Sequence, residues 1–510
     1  MRRCPMKRSP LQRLAAAVLI VFVAGCAPGP DYVRPSAEMP AAFKENSGWK
    51  IAEPRDHELR GNWWLVFNDP LLDRLQRQVD VSNQNLAQAE ARFRQASALA
   101  QQSRAGLFPN VTGGIGVTRS RASSTTSAQS SATPISRGAV TSHTLPFNAS
   151  WEPDLWGRIG RNVQASTAGA QASAADLEAA RLSARAQLAQ NYFQLRALDA
   201  QKQLLDETTA AYQRSFQLTQ NQYNAGVAAR ADMVQAEAQL RTTQAQAIGL
   251  GAQRAQLEHA IALLVGRAPA DFSLPPAPFT ALPPPLPAGL PSALLERRPD
   301  IAAAERRVAA ANAQIGVARA AYFPALTLTG ALGYQSSTLA QWLSAPSLFW
   351  SVGASLAQTI FDGGQRRALS DQAIAGYDLS VAAYRQTVLT GLQEVEDNLA
   401  ALRILEEEAR VQDEALRLSR QSVALATNQY QAGLINFLNV ATLQATALNA
   451  ERAALDIRSR RLAASVLLIR ALGGGWSAGS LPSGEQLLRR TGSMGEGRAE
   501  TKDAQNVRTE

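Results

Sequence analysis

One short phrase occurs twice in the chain, and this repetition constrains the fold more than any other feature. The first copy is Asn-Gln-Tyr-Asn-Ala-Gly-Val at 221–227, and the second is Asn-Gln-Tyr-Gln-Ala-Gly-Leu at 428–434. In each copy a glycine follows one long helical pattern and precedes another. Glycine adopts the left-handed conformation that ends many helices without steric cost. Each phrase therefore predicts the tip of a helical hairpin.

A seven-residue spacing runs through the segments that precede both phrases, as is typical of a coiled-coil seam. Its members are Leu177, Ala184, Asn191, Leu198, Leu205 and Tyr212 in the first segment, and Val395, Leu402, Ala409, Leu416, Val423 and Tyr430 in the second. Each segment, 157–223 and 363–429, has 67 residues, so as a helix it would be roughly 100 Å long. The patterns at 228–265 and 434–471 predict return helices.

Two other segments change to a period of two, which is typical of strands. The alternating residues are Leu145, Phe147, Ala149 and Trp151 in one segment, and Leu326, Leu328, Leu332, Tyr334, Trp350, Val352, Ala354 and Leu356 in the other. We therefore expect β-hairpins at 111–152 and 325–357, which gives four strands per chain.

The chain thus divides into two repeats with flanking segments. We expect a lipoprotein signal peptide at 1–25, an extended segment at 26–68 that packs along a surface, repeat 1 at 69–268, a Pro-rich linker at 269–299, repeat 2 at 300–476 and a disordered tail at 477–510. Each repeat reads short helix, hairpin, very long helix, tip and return helix. Two short helices stacked end to end match one long helix, so four lanes of helix are expected.

The N-terminus has the pattern of an export signal, with a basic start and a short apolar stretch. The stretch ends in Val-Ala-Gly-Cys at 23–26, which resembles a bacterial lipobox. That resemblance implies that Cys26 carries an N-acyl chain and an S-diacylglycerol, and that Ala27 directs the protein to the outer membrane. The alternative is an ordinary signal peptide with an incidental cysteine.

Composition argues against several classes of protein. The formal net charge is +9, five of these charges lie in the leader, and the remaining basic residues are scattered, so no nucleic-acid partner is expected. The three histidines fall in different segments, and no phosphate-binding loop or nucleophile motif occurs. We therefore predict no catalytic residues, no metal and no cofactor.

The strand count has a consequence for assembly. Open sheet edges are not tolerated in lipid, and membrane barrels begin at eight strands. A dimer of this chain would supply eight strands and a trimer twelve, and a barrel with a lumen favours the trimer. The alternative is a pair of soluble hairpins packed on the helices.

Taken together, the motifs resemble those of the TolC-like outer-membrane efflux factors, in the lipoprotein branch that includes NodT-type proteins. The resemblance spans about residues 26–476 and rests on Trp-Trp at 63–64, Trp-Glu-Pro-Asp-Leu-Trp-Gly at 151–157, Arg-Arg-Pro-Asp-Ile at 297–301, Phe-Asp-Gly-Gly at 361–364, the two tips and Leu-Gly-Gly-Gly-Trp at 472–476.

This resemblance implies a mainly α-helical homotrimer with a twelve-stranded β-barrel in the outer membrane. Below the barrel, a coiled-coil α-barrel would cross the periplasm. A periplasmic adaptor (a membrane fusion protein) and an inner-membrane pump of the resistance-nodulation-division type are the implied partners. The implied function is that of a passive gated duct that exports drugs and other small toxic compounds.

By the same resemblance, the tips carry the functional residues. Adaptor contact is expected at Tyr223, Ala225, Gly226, Tyr430, Ala432 and Gly433. Many relatives place charged residues just before the tip, but this chain does not. A polar, hydrogen-bonded constriction is expected instead, with Gln222, Thr427 and Gln429 as gate candidates. The alternative reading is that these residues only form hairpin turns.

Three other functions remain open at the level of sequence. An exit duct of a type I protein secretion system would have the same body with a different partner. A periplasmic adaptor would carry one hairpin and not two. A purely structural, lipid-anchored coiled coil would leave the alternating strands without a role.

Overall fold

The computed structural model describes residues 29–46, 61–121, 139–284 and 294–489. The predicted signal peptide and Cys26 lie outside these residues. In the first repeat the main elements are α1 (Pro70–Ser82), α2 (Gln84–Ala105), β1 (Asn110–Gly113), β2 (Gly116–Ser120), β3 (Val140–Trp151), α3 (Arg158–Asn224) and α4 (Arg230–Leu264). In the second they are α5 (Leu294–Arg297), α6 (Pro299–Ala320), β4 (Ala325–Ser336), β5 (Leu348–Ala357), α7 (Gln365–Gln431) and α8 (Phe437–Ala471), followed by α9 (Gly484–Leu488).

The strands form one antiparallel sheet. β3 pairs with both β1 and β2, which are two pieces of one strand interrupted at residues 114–115, and the order continues through β4 to β5. Phe147 pairs with Leu332, and Leu332 with Trp350. Because paired residues share a face, these three side chains form an apolar row. Each is at least half exposed, so one face of the sheet is apolar and open.

The helices form four lanes side by side. α3 packs against the lane of α2 and α4 on one side and against the lane of α6 and α8 on the other, and α7 packs against α6 and α8. The lane of α2 and α4 therefore lies at one edge of the helical layer and α7 at the other. Among the described helices, none is long and apolar enough to cross a membrane.

Asn83 joins the two helices of the first lane. Its Oδ1 accepts hydrogen bonds from the backbone N–H groups of Asn85 and Leu86, which caps the start of α2. Its Nδ2 donates to the carbonyl oxygen of Leu264 at 2.8 Å, near the end of α4. One amide thus satisfies the unpaired groups of two helix ends that meet. We expected a single short helix at the start of repeat 1, and this cap divides it into α1 and α2.

Arg298 makes the corresponding joint in the second lane. Its Nη1 donates to the carbonyl of Ala471 at 3.1 Å and to Glu394 on α7 at 2.8 Å, and its Nε donates to Asp300 at 3.0 Å. Burial alone would lower the pKa of Arg298, but its bonds to Asp300 and Glu394 outweigh burial and raise that pKa. Gly473 follows α8 with φ +91°, and a Cβ there would overlap the carbonyl of Arg297.

The largest core lies at mid-height, where these joints occur. Trp63, Trp64 and Phe67 are buried against α1 and α3. Residues 29–46 run along the outside of the helices, with Asp31 paired to Arg161 and Glu45 paired to Arg403. The N-terminal segment thus packs along a surface in its described part.

The tail was predicted to be disordered from 477, and this prediction was wrong for residues 477–489. α9 lies against α2 and α3, where Leu487 is buried between Ala100 and Ala170, and the short turn before it lies against α5. Arg104 donates to the carbonyl of Leu488 at 2.8 Å. The polar composition of the tail concealed these few apolar contacts. Residues 490–510 lie outside the described part of the chain.

Candidate functional site at the helical tips

Both tips use the same backbone turn. Gly226 and Gly433 have φ of +76° and +73°. The backbone N–H of the next residue donates to a carbonyl five positions earlier, Val227 to Gln222 and Leu434 to Gln429, each at 2.9 Å. This is the 6→1 bond that closes a helix end on a left-handed residue. A Cβ at either glycine would meet nothing within 4 Å, so the positive φ rather than space requires glycine here.

The two tip tyrosines have different surroundings despite their equivalent positions in the repeat. Tyr430 is half-buried, and its hydroxyl donates to Gln222 Oε1 at 2.5 Å. The same hydroxyl lies 3.3 Å from Thr219 Oγ1. The rings of Tyr430 and Phe437 pack edge to face, with their centres 5.6 Å apart. Tyr223 is 38% exposed, and no hydrogen bond within the described part of the chain uses its hydroxyl.

Of the three gate candidates, the structure brings Gln222 to Tyr430 but leaves the other two apart from this contact. Thr427 bonds to the carbonyl of Val423 on its own helix at 2.7 Å, and Gln429 is exposed. Ala225 and Ala432 are exposed C-cap residues in right-handed conformation. The Tyr430–Gln222 bond therefore links the C-terminal ends of α3 and α7 across two repeats.

Sequence reasoning missed two members of this cluster. Thr219 is fully buried and Phe437 is almost so. Thr219 lies seven positions after Tyr212, so continuation of the seam would have indicated it. Phe437 opens α8 three residues after the tip phrase, and only its packing against Tyr430 and Ala236 shows its role.

The contact between the tips is polar and uncharged. Within the described residues, no ion pair involves 212–236 or 421–450, and Asp232 and Arg230 are placed at the start of α4 without joining the Tyr430 cluster. Neutral hydrogen bonds depend little on salt, in contrast to ion pairs near a surface. A connection of this kind can open and close without moving a charge.

The fold and the tips define a class of protein. A sheet with an apolar open face stands on helical lanes roughly 100 Å long, and the Tyr430–Gln222 contact lies at the far end of those lanes. Among the described residues, no cluster of three metal-binding side chains occurs. A membrane-facing sheet joined to long helical lanes is the architecture of a channel protein.

Comparison with known proteins establishes the family. The sequence profile of the outer membrane efflux protein family matches residues 75–267 and 290–474. The toluene efflux pump outer membrane protein TtgF of Pseudomonas putida is 32% identical over 470 residues, which covers 90% of this chain and 96% of that protein. The pyoverdine export outer membrane protein OpmQ of Pseudomonas aeruginosa is 30% identical over 468 residues, 91% and 97% of the two chains.

A solved structure gives the same result. The outer-membrane channel OprN superposes with a TM-score of 0.82 at 33% identity, covering 88% of this chain and all of that one. The chain belongs to the outer membrane efflux protein family, whose members are channels of the outer membrane.

Proposed function

We propose that three copies of this chain form a gated duct that carries small toxic compounds from a pump and its periplasmic adaptor across the outer membrane. The observation that carries the proposal is that both layers of the chain end at matching edges. The sheet is open at β1/β2 and at β5. The helical layer is open at the lane of α2 and α4 and at α7. Since α2 leads into β1 and β5 leads into α7, each open helical lane continues into an open strand.

The open helical edges are complementary in shape. α7 exposes Ile404, Val411, Leu418 and Leu425, seven residues apart, and α4 exposes Ala238, Ala245 and Ala252 with the same spacing. Large side chains at heptad spacing pack into the spaces between small ones on a neighbouring helix. One edge of a chain thus fits the other edge of the next copy, and such head-to-tail contacts close into a ring. A barrel of twelve strands from three chains has an open lumen, whereas the interior of an eight-stranded barrel is filled by its own side chains.

The described N-terminal segment supports acylation of Cys26. The carbonyl of Pro30 accepts a hydrogen bond from Asn312 at 3.0 Å, and Gly29 packs against Gly316. Both contacts lie in the second half of α6, which leads into β4. Cys26 is three residues before Gly29, a reach of roughly 10 Å. A lipid on Cys26 would therefore lie near the base of the sheet, where it meets the membrane.

At the far end, we assign adaptor docking to the exposed residues Tyr223, Ala225, Gly226, Ala432 and Gly433. We assign the closing contact to Tyr430 and Gln222. The pump supplies the energy, and the tips open when the adaptor engages them. The names of relatives mention compounds as different as toluene and pyoverdine, so partner pumps rather than the duct are expected to select the substrate.

The test is the conductance of the purified trimer in planar bilayers, compared between Tyr430→Phe and Tyr223→Phe. Loss of one neutral hydrogen bond costs about 1 kcal/mol, so Tyr430→Phe should raise the open fraction roughly fivefold. Tyr223→Phe should leave it unchanged, because that hydroxyl holds nothing in place. Equal conductance of both variants and the unaltered protein would refute the gate. Recovery of a soluble periplasmic monomer would refute the duct.

A further inference from the structure

A pocket outside the tips lies between α3, α7, α8 and the Pro-rich segment. Its volume is about 390 Å³. The apolar lining consists of Leu204, Leu282, Pro283, Leu416, Leu455 and Ile457, and the charged lining consists of Arg420, Arg458, Arg461, Asp413 and Glu451. It is therefore amphipathic, with an aliphatic wall and an arginine-rich end.

Neutral groups are the partners of Arg458 among the described residues. Its Nε and Nη2 donate to the carbonyl of Ala281 at 3.1 and 2.9 Å, and its guanidinium lies 4.9 Å from the centre of the Phe279 ring. Within the described part of the chain, no carboxylate comes within ion-pair distance of it. Burial lowers the pKa of Arg458, and no neighbouring charge opposes this effect. A half-buried cation is thus held in place by neutral groups only.

Arg461 adds an unused donor to the same end. Its Nε is buried without a hydrogen-bond partner among the described residues. Its Nη2 makes one long ion pair, at 4.0 Å, with the exposed carboxylate of Glu406. Residues three apart on a helix share a face, so Arg458 and Arg461 both line the pocket from α8. Unpaired buried donors are costly, and an anion placed between them would remove that cost.

The remaining charges leave the pocket positive. Arg420 pairs with Glu451 at 2.5 Å, so these two neutralise each other. Asp413 is exposed and takes part in no ion pair within the described residues. The charged lining therefore sums to about one positive charge, with Asp413 as its only unpaired acid.

We propose that this pocket binds an amphipathic anion, with a carboxylate or sulfonate head at Arg458 and Arg461 and an apolar body against Leu204, Leu416 and Leu455. The volume falls within the range of small-molecule sites, and it accommodates a two-ring aromatic body. This site is separate from the tips and from the duct function.

The position of the pocket gives such a ligand a consequence. Its walls belong to α3, α7, α8 and the Pro-rich segment that Arg458 holds at Ala281. A bound anion would connect α8 to the other walls and stabilise their present arrangement, because a ligand favours the state that binds it.

The experiment uses the full-length trimer in lipid nanodiscs and three matched probes. These are naphthalene-1-sulfonate, the neutral naphthalene-1-methanol and the cationic 1-naphthylmethylammonium, each followed by equilibrium dialysis. The anion should bind at least tenfold more tightly than the other two. Arg458→Gln and Arg461→Gln should each weaken anion binding about tenfold, the size expected for a charged hydrogen bond. Arg489→Gln, which removes an exposed arginine remote from the pocket, should change nothing.

Asp413→Asn provides a test that does not depend on a buried substitution. It removes the only unpaired acid of the pocket from an exposed position, so the anion should bind several-fold more tightly. Equal binding of the three probes, no binding of the anion, or unchanged affinity in both Arg458→Gln and Asp413→Asn would overturn the proposal.

Discussion

At the scale of single residues, the two copies of the phrase encode one turn but two chemical environments. Gly226 and Gly433 serve the same positive φ. Tyr430, in contrast, bonds to Gln222, whereas Tyr223 is exposed. The difference arises because Phe437 and Thr219 surround only Tyr430. Closely similar local sequences thus give the same backbone turn, whereas packing against distant residues decides what each tyrosine side chain contacts.

Replacing Gly433 with alanine should destabilise the protein by about 1–2 kcal/mol, because a Cβ is disfavoured in left-handed backbone. The measurement is the thermal unfolding of the trimer. Gly249→Ala is the matched control, since Gly249 lies inside α4 with open space around its Cβ position. There alanine should be neutral or stabilising by up to about 1 kcal/mol. A Gly433→Ala protein as stable as the Gly249→Ala protein would show that the turn tolerates a side chain.

Tyr192 should make stability depend on alkaline pH. Burial, and then its hydrogen bond to Asp69 at 2.6 Å, raise the pKa of Tyr192 from 10.0 to about 12. The folded state therefore keeps a proton that the unfolded chain releases. The stabilisation is complete below pH 10 and is lost as pH rises towards 12.

The thermal unfolding midpoint of the unaltered protein should thus fall more steeply between about pH 9.5 and about pH 11.5 than that of Tyr192→Phe. These two pH values lie roughly on either side of the ordinary tyrosine pKa. Tyr223→Phe, at an exposed position, should follow the unaltered protein. Parallel curves for all three proteins would contradict the assignment to Tyr192.

At the scale of elements, each lane of short helices depends on one side chain at its joint. Asn83 is 4% exposed and bonds to both helix ends in the first lane, and Arg298 does the same with charged partners in the second. The repeat therefore conserves the joint as a geometry and not as a residue type. The residues of the two joints, Asn-Gln-Asn and Arg-Pro-Asp, gave no sign of this equivalence.

Asn83→Ala should destabilise the protein by about 2 kcal/mol, because it removes an N-cap and leaves the carbonyl of Leu264 without its partner. Asn85→Ala is the control, since Asn85 is exposed and contributes only its backbone N–H to the joint. Chemical denaturation of the trimer measures both. Equal loss of stability in the two variants would mean that the cap is not what holds the lane together.

At the scale of the whole molecule, the chain is incomplete by itself. It exposes a heptad row on α7, a row of alanines on α4 and two open sheet edges, at β1/β2 and at β5. It also exposes apolar side chains over one face of its sheet, such as Trp350 at 73% and Val352 at 82%. In the proposed trimer, further copies of the chain cover the helical and strand edges, and lipid covers the apolar face.

Leu418→Glu should therefore weaken the proposed trimer, because it places a charge where α7 would meet the next copy of the chain. Each leucine side chain that is no longer buried there loses about 1.5–3 kcal/mol of stabilisation. Unheated gel electrophoresis and light scattering in mild detergent would show smaller species. Leu343→Glu is the control, as Leu343 is also exposed but lies in the loop between β4 and β5. An intact Leu418→Glu trimer would show that neighbouring copies meet through other residues than the exposed row on α7.

Local sequence determined the elements of this protein. Glycines after long periodic runs predicted the tips, heptads predicted 67-residue helices that the structure has at 158–224 and 365–431, and alternation predicted the strands. These features depend on neighbours along the chain, so a sequence contains them in full. The sequence predicted four lanes of helix but not the order in which they lie side by side, and that order determines which lanes form the open edges.

Only the tertiary structure decided which side chains meet. The Tyr430–Gln222 bond joins residues 208 positions apart, α9 docks through two leucines, and the arginine pocket draws on three helices and a Pro-rich segment. Contacts of this kind depend on the packing of distant segments, which leaves no periodic signal in the sequence. The sequence alone therefore determined a duct-like body and its tips, and the tertiary structure determined which side chains join the two tips.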